Sequence, residues 1–401
     1  MIVVVELSSR AQRHAPFNAM LLRTISLGRP GEAISFWADP AHLAEVRKML
    51  GDAPATTYNP LRIWSHLPEK IEFSSYRRFW HGLRTLFGIH YRYRHQKPVM
   101  VVASGSPSGI LAAYALHRVR GSFTQIICHG ELTTIENGWV PRNPFYRFLR
   151  HEPVMRLCHG PEFRYVVLEQ PIKERLQWLI PKVAATIDVL PHPVNEREIT
   201  ASAPPPVRPP IRVGSLGVAT YAKGFDIWAR LVATLSETAS LEFYHIGRLH
   251  PDFLGQQLKG FANSPGPEDL PRSDFIARVQ ELHYVCLPLP GRYYELAASA
   301  TLLDAITCRK PLITMRTRLT EQLFDEAGDI GFLCQEEAEL ERVLRNLSLQ
   351  FDPNRYDQQV ANMGLLRQRR MPAALASAYA ATLPPPSSIP EGVRPAHYMP
   401  G

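Results

Sequence analysis

A glycine turn followed by a lysine is the first pattern in this sequence that could do chemistry. The apolar run that starts at Ile211 ends in Gly214-Ser-Leu-Gly217, and Lys223 follows six residues later at the start of a predicted helix. A lysine in this place can meet an anion held by nearby backbone amides, because a helix start carries unpaired amides and the positive end of the dipole. The pattern therefore predicts an anion site, although a solvated lysine would give the same pattern.

A second candidate for the same ligand is the helix start near Ser299. Ser299 or Thr301 can cap this helix, since a hydroxyl accepts hydrogen bonds from first-turn amides, and Ala300 between them is small. Pro311 ends the helix and Leu312-Ile-Thr314 begins a short strand. Such a helix start can hold a phosphate on its amides. Many α/β proteins contain this unit without a ligand, so both interpretations stay open.

A third candidate follows the predicted strand Leu241-Glu-Phe-Tyr-His-Ile-Gly247. Arg248 comes directly after Gly247, at the end of this strand. A guanidinium there could clamp a second phosphate through two parallel hydrogen bonds. An ordinary surface arginine is the alternative.

Basic and aromatic residues alternate between residues 77 and 95. If this segment is a helix, Arg77, His81 and Arg84 share one face, while Phe79, Leu83 and Leu86 share another, and Arg78 and Trp80 add charge and an aromatic ring. A basic, aromatic, amphipathic helix suits an anionic membrane surface. Nucleic-acid binding and an ordinary surface helix are the alternatives.

Elements with a βα rhythm must position these residues. Strand-like runs alternate with helical patterns from Ile2 to Val194, and the rhythm restarts at Ile211, so each half is predicted to be a parallel sheet covered on both faces. The predicted organisation is an α/β chain with an N-terminal domain at 1–195, a proline-rich linker at 196–210 and a C-terminal domain at 211–356. Helices at 357–383 and a disordered tail at 384–401 follow.

Composition narrows the class of protein. Of the net charge of +8, residues 1–195 carry +10 and the remainder −2, so the basic character belongs to the N-terminal half. The five cysteines are widely spaced and lie mostly in apolar runs, which indicates buried thiols in a reducing cytosol. Neither a signal peptide nor a membrane span is predicted, so we expect a cytoplasmic protein that is soluble or peripheral.

In combination, several motifs resemble GT-B glycosyltransferases, the large family that includes many bacterial mannosyl- and glucosyltransferases of polysaccharide synthesis. In order and spacing, the C-terminal domain of that family is matched by Lys223-Gly-Phe-Asp226, Tyr244-His-Ile-Gly247, Leu302-Leu-Asp304-Ala and Arg309-Lys-Pro-Leu-Ile313. The resemblance extends to Val166-Val-Leu168 with Lys173-Glu-Arg-Leu176, and to Val189-Leu-Pro-His-Pro-Val194. It covers residues 160–335 well and the N-terminal third only in architecture. It implies two Rossmann-like domains that face each other across a cleft.

The resemblance also implies a donor site. Lys223 would bind the diphosphate of a nucleotide-sugar, and Asp304 would contact the ribose. The remaining expected donor-binding residues are Gly217, Gly247, Arg248, Ser299, Ala300 and Thr301. Because the sequence has no Asp-x-Asp motif, no metal or other cofactor is expected, and Lys223 with helix dipoles would neutralise the leaving diphosphate.

In the N-terminal domain, His129 and Glu131 follow a predicted strand at the end where open α/β sheets bind ligands. His129 could contact the donor sugar and Glu131 could act as the base for an acceptor hydroxyl, which predicts inversion of configuration. A satisfied histidine and a capping residue are the alternatives.

Two departures from the family pattern concern sugar recognition. Ser215 stands where the family usually has an arginine, and Leu296 stands where it usually has a glutamate, with Glu295 one place away. The expected function is still sugar transfer from a nucleotide-sugar to a lipid-linked oligosaccharide in bacterial exopolysaccharide or cell-surface polysaccharide synthesis. The enzyme would be peripheral on the inner face of the plasma membrane, through Arg77, Arg78, Trp80 and Arg84.

Three alternatives to this function remain. A binding protein of the same fold that has lost catalysis predicts ligand binding without turnover. A nucleic-acid binder that uses residues 77–95 predicts steeply salt-dependent affinity, although no nucleic acid is expected as a partner. A sugar-nucleotide epimerase of the same fold needs no basic membrane face.

Overall fold

Each half of the chain is built on one parallel sheet, as the βα rhythm predicts. The structure, a computed structural model, describes the backbone of residues 1–51, 56–61, 71–136, 148–199, 205–238, 240–290 and 293–386 and, except at 71–75 and 293, their side chains. Residues 200–204 of the predicted linker and residues 387–401 of the predicted disordered tail lie outside these ranges.

The N-terminal sheet has seven strands in the order β3-β2-β1-β4-β5-β6-β7. They are β1 Ile2–Val5, β2 Ile34–Ala38, β3 Thr56–Pro60, β4 Val99–Val102, β5 Thr124–Cys128, β6 Phe163–Val167 and β7 Ile187–Val189. All of these strands pair in parallel. The central strands β1 and β4 are continuous apolar runs because both faces of the sheet are covered.

Helices cover both faces of this sheet. They are α1 Ala15–Gly28, α2 Pro40–Leu50, α3 Ile71–Arg92, α4 Pro107–Arg120, α5 His151–Leu157 and α6 Gln170–Leu179. Alternate side chains of β1 enter different buried clusters, with Val3 and Val5 in one and Ile2 and Val4 in the other. The core of the domain therefore lies on both sides of its sheet.

The C-terminal sheet has five strands in the order β12-β11-β10-β8-β9. They are β8 Ile211–Leu216, β9 Leu241–Ile246, β10 Tyr284–Leu287, β11 Leu312–Met315 and β12 Gly331–Cys334. The flanking helices are α7 Phe225–Leu235, α8 Arg272–Gln280, α9 Ala300–Thr307, α10 Arg318–Ala327 and α11 Glu337–Leu349. The carboxyl ends of β8 and β9 and the start of α9 converge at one edge of this sheet.

Two last helices, α12 Pro353–Arg369 and α13 Pro372–Ala380, return the chain to the N-terminal domain. Helix α13 packs on α1, and Tyr379 donates a hydrogen bond of 2.7 Å to Gln125 of β5. Gly28 permits the close approach, because a Cβ there would lie 2.3 Å from the carbonyl oxygen of Ala376. At the crossing, Arg370 forms a buried ion pair of 2.6 Å with Glu169.

Two local predictions are wrong. By residue type, Asn18 and Ser273 are predicted to cap the helices that follow them. Asn18 instead lies inside α1, which begins after His14, and its amide bonds Glu6 at 3.2 Å and His42 at 2.8 Å inside the domain. Ser273 does not cap α8, which already begins at Arg272. The sequence analysis also missed β3, β12 and α10. Both strands lie at sheet edges, where a polar or short segment lacks the apolar run that marks a buried strand.

Candidate functional site

Four of the predicted donor-binding residues meet at the edge of the C-terminal sheet. A Cβ placed on Gly217 would lie 2.9 Å from Thr301 Cγ2 and 3.0 Å from Lys223 Nζ, so both side chains contact the glycine turn. A Cβ on Gly247 would lie 2.0 Å from the Gly217 carbonyl oxygen. The backbones of the two turns therefore approach as closely as only glycine allows, and we call these residues, with Ser299 and Ala300, the anion site.

The start of α9 supplies amides to the anion site. Ser299 is the cap, as predicted, and its Oγ accepts a hydrogen bond of 3.3 Å from the amide of Leu302. Its hydroxyl also lies 3.0 Å from that of Thr301. The amides of Ala300 and Thr301 have no acceptor within the helix because they belong to its first turn. They can bind an anion together with the positive end of the helix dipole.

Lys223 lies between β8 and α7, in the short turn Tyr221–Lys223. Burial lowers the pKa of its ammonium group, and the carboxylate of Asp304 offsets part of this effect. Across the described ranges, no carboxylate forms an ion pair with Lys223. A desolvated cation without a partner, next to the start of a helix, is the arrangement that an anionic ligand would stabilise.

Asp304 is held by residues that the sequence analysis missed. Its Oδ1 accepts a hydrogen bond of 2.6 Å from Arg272, and Arg272 also binds Glu198 at 2.5 Å. Burial raises the pKa of Asp304, while Arg272 and Lys223 act against this rise. The ribose contact implied for Asp304 stays a prediction. Because Arg272 is 32 residues distant in the chain, no local signal could have identified it.

Arg248, which the sequence predicts to bind a phosphate, lies next to a carboxylate in the structure. Its Nε lies 3.0 Å from Oδ1 of the exposed Asp269, without the alignment of a hydrogen bond. The two residues therefore make a charge contact at the rim of the domain. Binding of a second phosphate by Arg248 would require exchange of this partner.

His129 is buried at the facing edge of the N-terminal sheet, directly after β5. Its Nε2 donates a hydrogen bond of 2.9 Å to the carbonyl oxygen of Ala103. His14 stacks on the ring of His129 at 4.4 Å, and Phe17 meets both His129 and His192 edge-on. Burial, followed by the effect of His129, lowers the pKa of His14 to about 4 and that of His192 to about 3. We call His14, His129 and His192 the histidine cluster.

Glu131 is tied to the turn that follows β4. Its Oε1 accepts a hydrogen bond of 3.2 Å from the amide of Gly105, and His151 donates to the carbonyl oxygen of Gly105 at 2.9 Å. Burial raises the pKa of Glu131, but His129, His151 and backbone amides together lower it by a larger amount, so the net shift of the pKa is downward. The carboxyl group is therefore ionised near neutrality, as a base requires, although a low pKa makes it a weak one.

Glu6 is a buried carboxylate that the sequence analysis did not identify. Its Oε1 accepts hydrogen bonds from Ser104 Oγ at 2.6 Å and from the amides of Ser8 and Ser9 at 2.8 and 2.9 Å. Burial would raise its pKa, yet these bonds, with one from Asn18, hold the pKa at about 2. Glu6 thus joins the loop that carries His14 to the turn that carries Gly105.

The two edges face each other across the domain boundary. A Cβ on Gly130 would lie 3.8 Å from the Cβ of Ala297, which precedes α9. Leu296 is fully buried in an N-terminal core cluster, and Glu295 forms an ion pair of 2.9 Å with Arg175 of α6. Neither residue therefore presents a carboxylate to a donor sugar. At the position where the family usually has a glutamate, this protein has a leucine that packs into the core of the other domain.

Helix α3 has the two faces that the sequence predicts. Leu86 is buried and Phe79 and Leu83 pack against the N-terminal core, whereas Trp80 is 53% exposed. Arg77, Arg78 and Arg84 are also exposed. In the described parts of the chain, no helix is both long and apolar enough to cross a bilayer.

Comparisons with solved structures identify the fold. The catalytic domain of starch synthase IV from Arabidopsis thaliana, bound to ADP and acarbose, matches with a TM-score of 0.66 and 10% identity, over 95% of this chain and 98% of that one. HepE of Anabaena in complex with UDP matches with a TM-score of 0.61 and 14% identity, over 95% and 98%. WaaG, a glycosyltransferase involved in lipopolysaccharide biosynthesis, gives the same values.

Sequence comparisons add nothing to this result. No protein-family model matches the chain, and no curated protein matches it. The structural matches extend over nearly the whole chain, and they share its two parallel α/β sheets with flanking helices. The chain therefore has the GT-B fold of glycosyltransferases.

Proposed function

We propose that the protein transfers a sugar from a nucleotide-sugar to a hydroxyl of a lipid-linked glycan at the cytoplasmic face of the membrane. The observation that carries the proposal is the anion site, where Lys223 contacts the Gly217 turn beside the start of α9. Lys223 is desolvated and has no ion-pair partner among the residues that the structure describes. A diphosphate leaving group fits this chemistry, because its charge is stabilised by one ammonium group and by fixed amide dipoles. Structural relatives with UDP, UDP-glucose or ADP bound support a nucleotide-linked donor.

In this proposal the reaction needs no metal ion, since Lys223 and the amides of α9 supply the positive charge. Glu131 takes the proton of the acceptor hydroxyl, and direct displacement inverts the anomeric configuration. His129 contacts the donor sugar from the opposite edge of the cleft. A membrane-bound acceptor would be reached because the exposed cations of α3 attract anionic lipid.

Donor binding is tested by calorimetry with UDP, ADP and GDP. We expect one of these to bind, and Lys223→Ala to weaken its binding by about tenfold or more, because a charge-assisted contact is lost. Lys259→Ala removes an exposed lysine of the same domain and is the matched control. Equal affinity of wild type and Lys223→Ala would remove Lys223 from the site and with it the basis of the proposal.

The membrane part is tested by flotation with vesicles of phosphatidylcholine alone or with phosphatidylglycerol. We expect binding that rises with the anionic lipid and falls with added salt. The triple variant with Arg77, Arg78 and Arg84 changed to Ser should lose this binding. If it binds as well as wild type, a different surface meets the membrane.

A second candidate is a nucleotide-sugar-binding protein without turnover. It is favoured by the loop before α9, where Leu296 is buried in the other domain and Glu295 is paired with Arg175. It predicts that a nucleotide-sugar binds but is neither transferred nor hydrolysed when acceptor glycans are added. Release of the nucleoside diphosphate during such an assay decides between the two candidates.

A further inference from the structure

A cavity of about 790 Å³ lies in the N-terminal domain on one flank of α3. It is lined from α3 by residues at helical spacing, including His81, Arg84, Thr85 and Gly88, and from the sheet side by Trp37 of β2. All of its lining residues belong to the N-terminal domain, and they include neither the histidine cluster nor Glu131. We call this cavity the α3 pocket. Its size is that of a small-molecule site.

The charge of the α3 pocket is strongly one-sided. Arg84, Arg92 and Arg94 line it, together with His81, and none of its lining residues within the described ranges is acidic. The wider surroundings explain this, because residues 73–130 contain no Asp or Glu. No anionic side chain of α3 beyond Glu72, or of α4, is therefore available to neutralise the three guanidinium groups.

Aromatic rings, and not carboxylates, hold two of these arginines. The guanidinium carbon of Arg92 lies 5.7 Å from the ring of Trp37, and that of Arg94 lies 4.5 Å from the ring of Tyr91. Among the residues that the structure describes, Arg84, Arg92 and Arg94 form no ion pair. Elsewhere in the protein, arginines with carboxylate partners are common; examples are Arg164, Arg175, Arg230, Arg272 and Arg370.

These features define the chemistry of an occupant. Three unneutralised guanidinium groups suit a phosphate, which accepts paired hydrogen bonds from their planar forks. For the organic group that carries the phosphate, the Trp37 and Tyr91 rings offer apolar faces and the Thr85 hydroxyl offers a polar contact. Gly88 leaves room beside them, because a Cβ there would have no neighbour within 4 Å.

We propose that the α3 pocket binds a phosphate ester of a sugar or polyol. The same α3 helix exposes Arg77, Arg78 and Trp80, so the pocket lies next to the face assigned to the membrane. Two sources share the chemistry, namely the headgroup of an anionic phospholipid and a phosphorylated sugar of the acceptor. The link to an acceptor rests on the proposed function, whereas binding to the pocket requires neither a donor nor turnover.

The test is calorimetry on the full chain with glucose 1-phosphate and with glycerophosphoglycerol, the soluble headgroup of phosphatidylglycerol. Glucose and glycerol are the uncharged controls. We expect one phosphate ester to bind and the uncharged compounds not to bind. Preference for the glycerol ester assigns the pocket to phospholipid, and preference for the sugar ester assigns it to a phosphorylated acceptor.

Matched variants locate the binding. Changing Arg84, Arg92 and Arg94 together to Gln should weaken it by about tenfold or more, because charge-assisted hydrogen bonds are lost. The control changes Arg118, Arg120 and Lys182 to Gln, which removes the same charge at exposed positions outside the pocket and should leave affinity within about twofold. A second blocking variant, Gly88→Phe, fills the space without altering charge or weakening a helix, and should also abolish binding.

Two results would overturn the proposal. One is that neither phosphate ester binds to wild type. The other is that wild type and both pocket variants bind the ester equally well. If Lys223→Ala then abolishes binding of the ester, the ester occupies the anion site and not the α3 pocket. Retention of UDP binding by the pocket variants keeps this test separate from that of the proposed function.

Discussion

The two facing edges of the cleft are built in different ways. The anion site uses mostly backbone, with two glycine turns and the first amides of α9, plus the single ammonium group of Lys223. The N-terminal edge uses side chains from separate segments of the chain, which are Glu6, His14, Ser104, His129, Glu131, His151 and His192. The first edge should therefore be sensitive to added atoms at glycine, and the second to the loss of individual polar groups and to pH.

The largest effect on the N-terminal edge is expected from Glu131→Gln. The amide keeps an acceptor for the Gly105 N–H but cannot take a proton, so loss of a general base should lower turnover by about 10²–10⁴-fold. Donor binding should be unchanged, because in the proposed mechanism the diphosphate lies at the anion site and Glu131 meets only the acceptor hydroxyl. The measurement is the transfer rate, together with the anomeric configuration of the product by NMR.

The control for this prediction is Glu152→Gln on α5, whose carboxylate pairs with Arg156 four residues away. Near-normal turnover of Glu131→Gln, or a product that retains configuration, would make Glu131 a residue that only positions the Gly105 turn.

The second effect concerns Glu6 and the pH dependence of stability. Its pKa in the folded protein is about 2 against an ordinary value of 4.5, since hydrogen bonds to the carboxylate outweigh the effect of burial. A lowered folded pKa contributes stability that is fully present above pH 4.5 and is lost as the pH falls through 2. At 1.36 kcal/mol per pKa unit, the contribution is about 3 kcal/mol.

We therefore expect Glu6→Gln to lower the free energy of unfolding near neutrality by about this amount and to flatten its dependence between pH 4.5 and 2. Urea denaturation over this pH range measures both. Glu162→Gln, at an exposed carboxylate, is the control. If the pH dependence of the unfolding free energy is the same in Glu6→Gln as in wild type, other carboxylates cause the loss of stability at low pH.

A smaller effect on the opposite edge is expected from Gly217→Ala. The added methyl group would meet Thr301 and Lys223 at 2.9 and 3.0 Å, and the backbone there has φ +81°. Left-handed backbone costs a non-glycine residue roughly 1–2 kcal/mol, and displacement of Lys223 should also weaken diphosphate binding.

Gly255→Ala separates these two contributions. Gly255 has the same φ of +81°, but a Cβ there would have no neighbour within 4 Å. Gly217→Ala should be destabilised at least as much as Gly255→Ala, because it adds the contact with Thr301, while calorimetry should show weaker diphosphate binding only for Gly217→Ala. Equal binding by the two variants would mean that the Gly217 turn does not contact the diphosphate.

The smallest effect is expected where the two edges are joined, at Arg175. Its ion pair with Glu295 connects the domains, whereas its pair with Glu136 lies within the N-terminal domain. The Arg175 side chain is 25% exposed, so screening limits the gain. We expect Arg175→Gln to lower the free energy of unfolding by less than about 1 kcal/mol. Arg156→Gln, in a pair within one domain, should have a similar effect. A much larger loss for Arg175 would identify the contact as a main support of the domain arrangement.

The predictable part of the site is the part encoded locally. Gly217, Lys223, Gly247 and the Ser299 cap were recognised because a strand end, a glycine and a helix start follow one another within a few residues. Glu6 and Arg272 were missed because their partners lie far away in the chain, as with Ser104, 98 residues after Glu6. The Asn18 prediction failed for a related reason, since its side chain bonds buried groups of the tertiary structure instead of its own helix.

The sequence by itself determined two α/β halves, the glycine turns and helix cap of the candidate anion site, and the basic face of α3, because hydrophobic periodicity and helix-end chemistry are short-range properties. Only the tertiary structure decided how the halves join. Arg370 pairs with Glu169 across 201 residues, Tyr379 bonds Gln125 across 254, and Leu296 enters the core of the other domain. Burial in each case depends on surfaces that exist only after both sheets have formed, so no local pattern specifies these contacts.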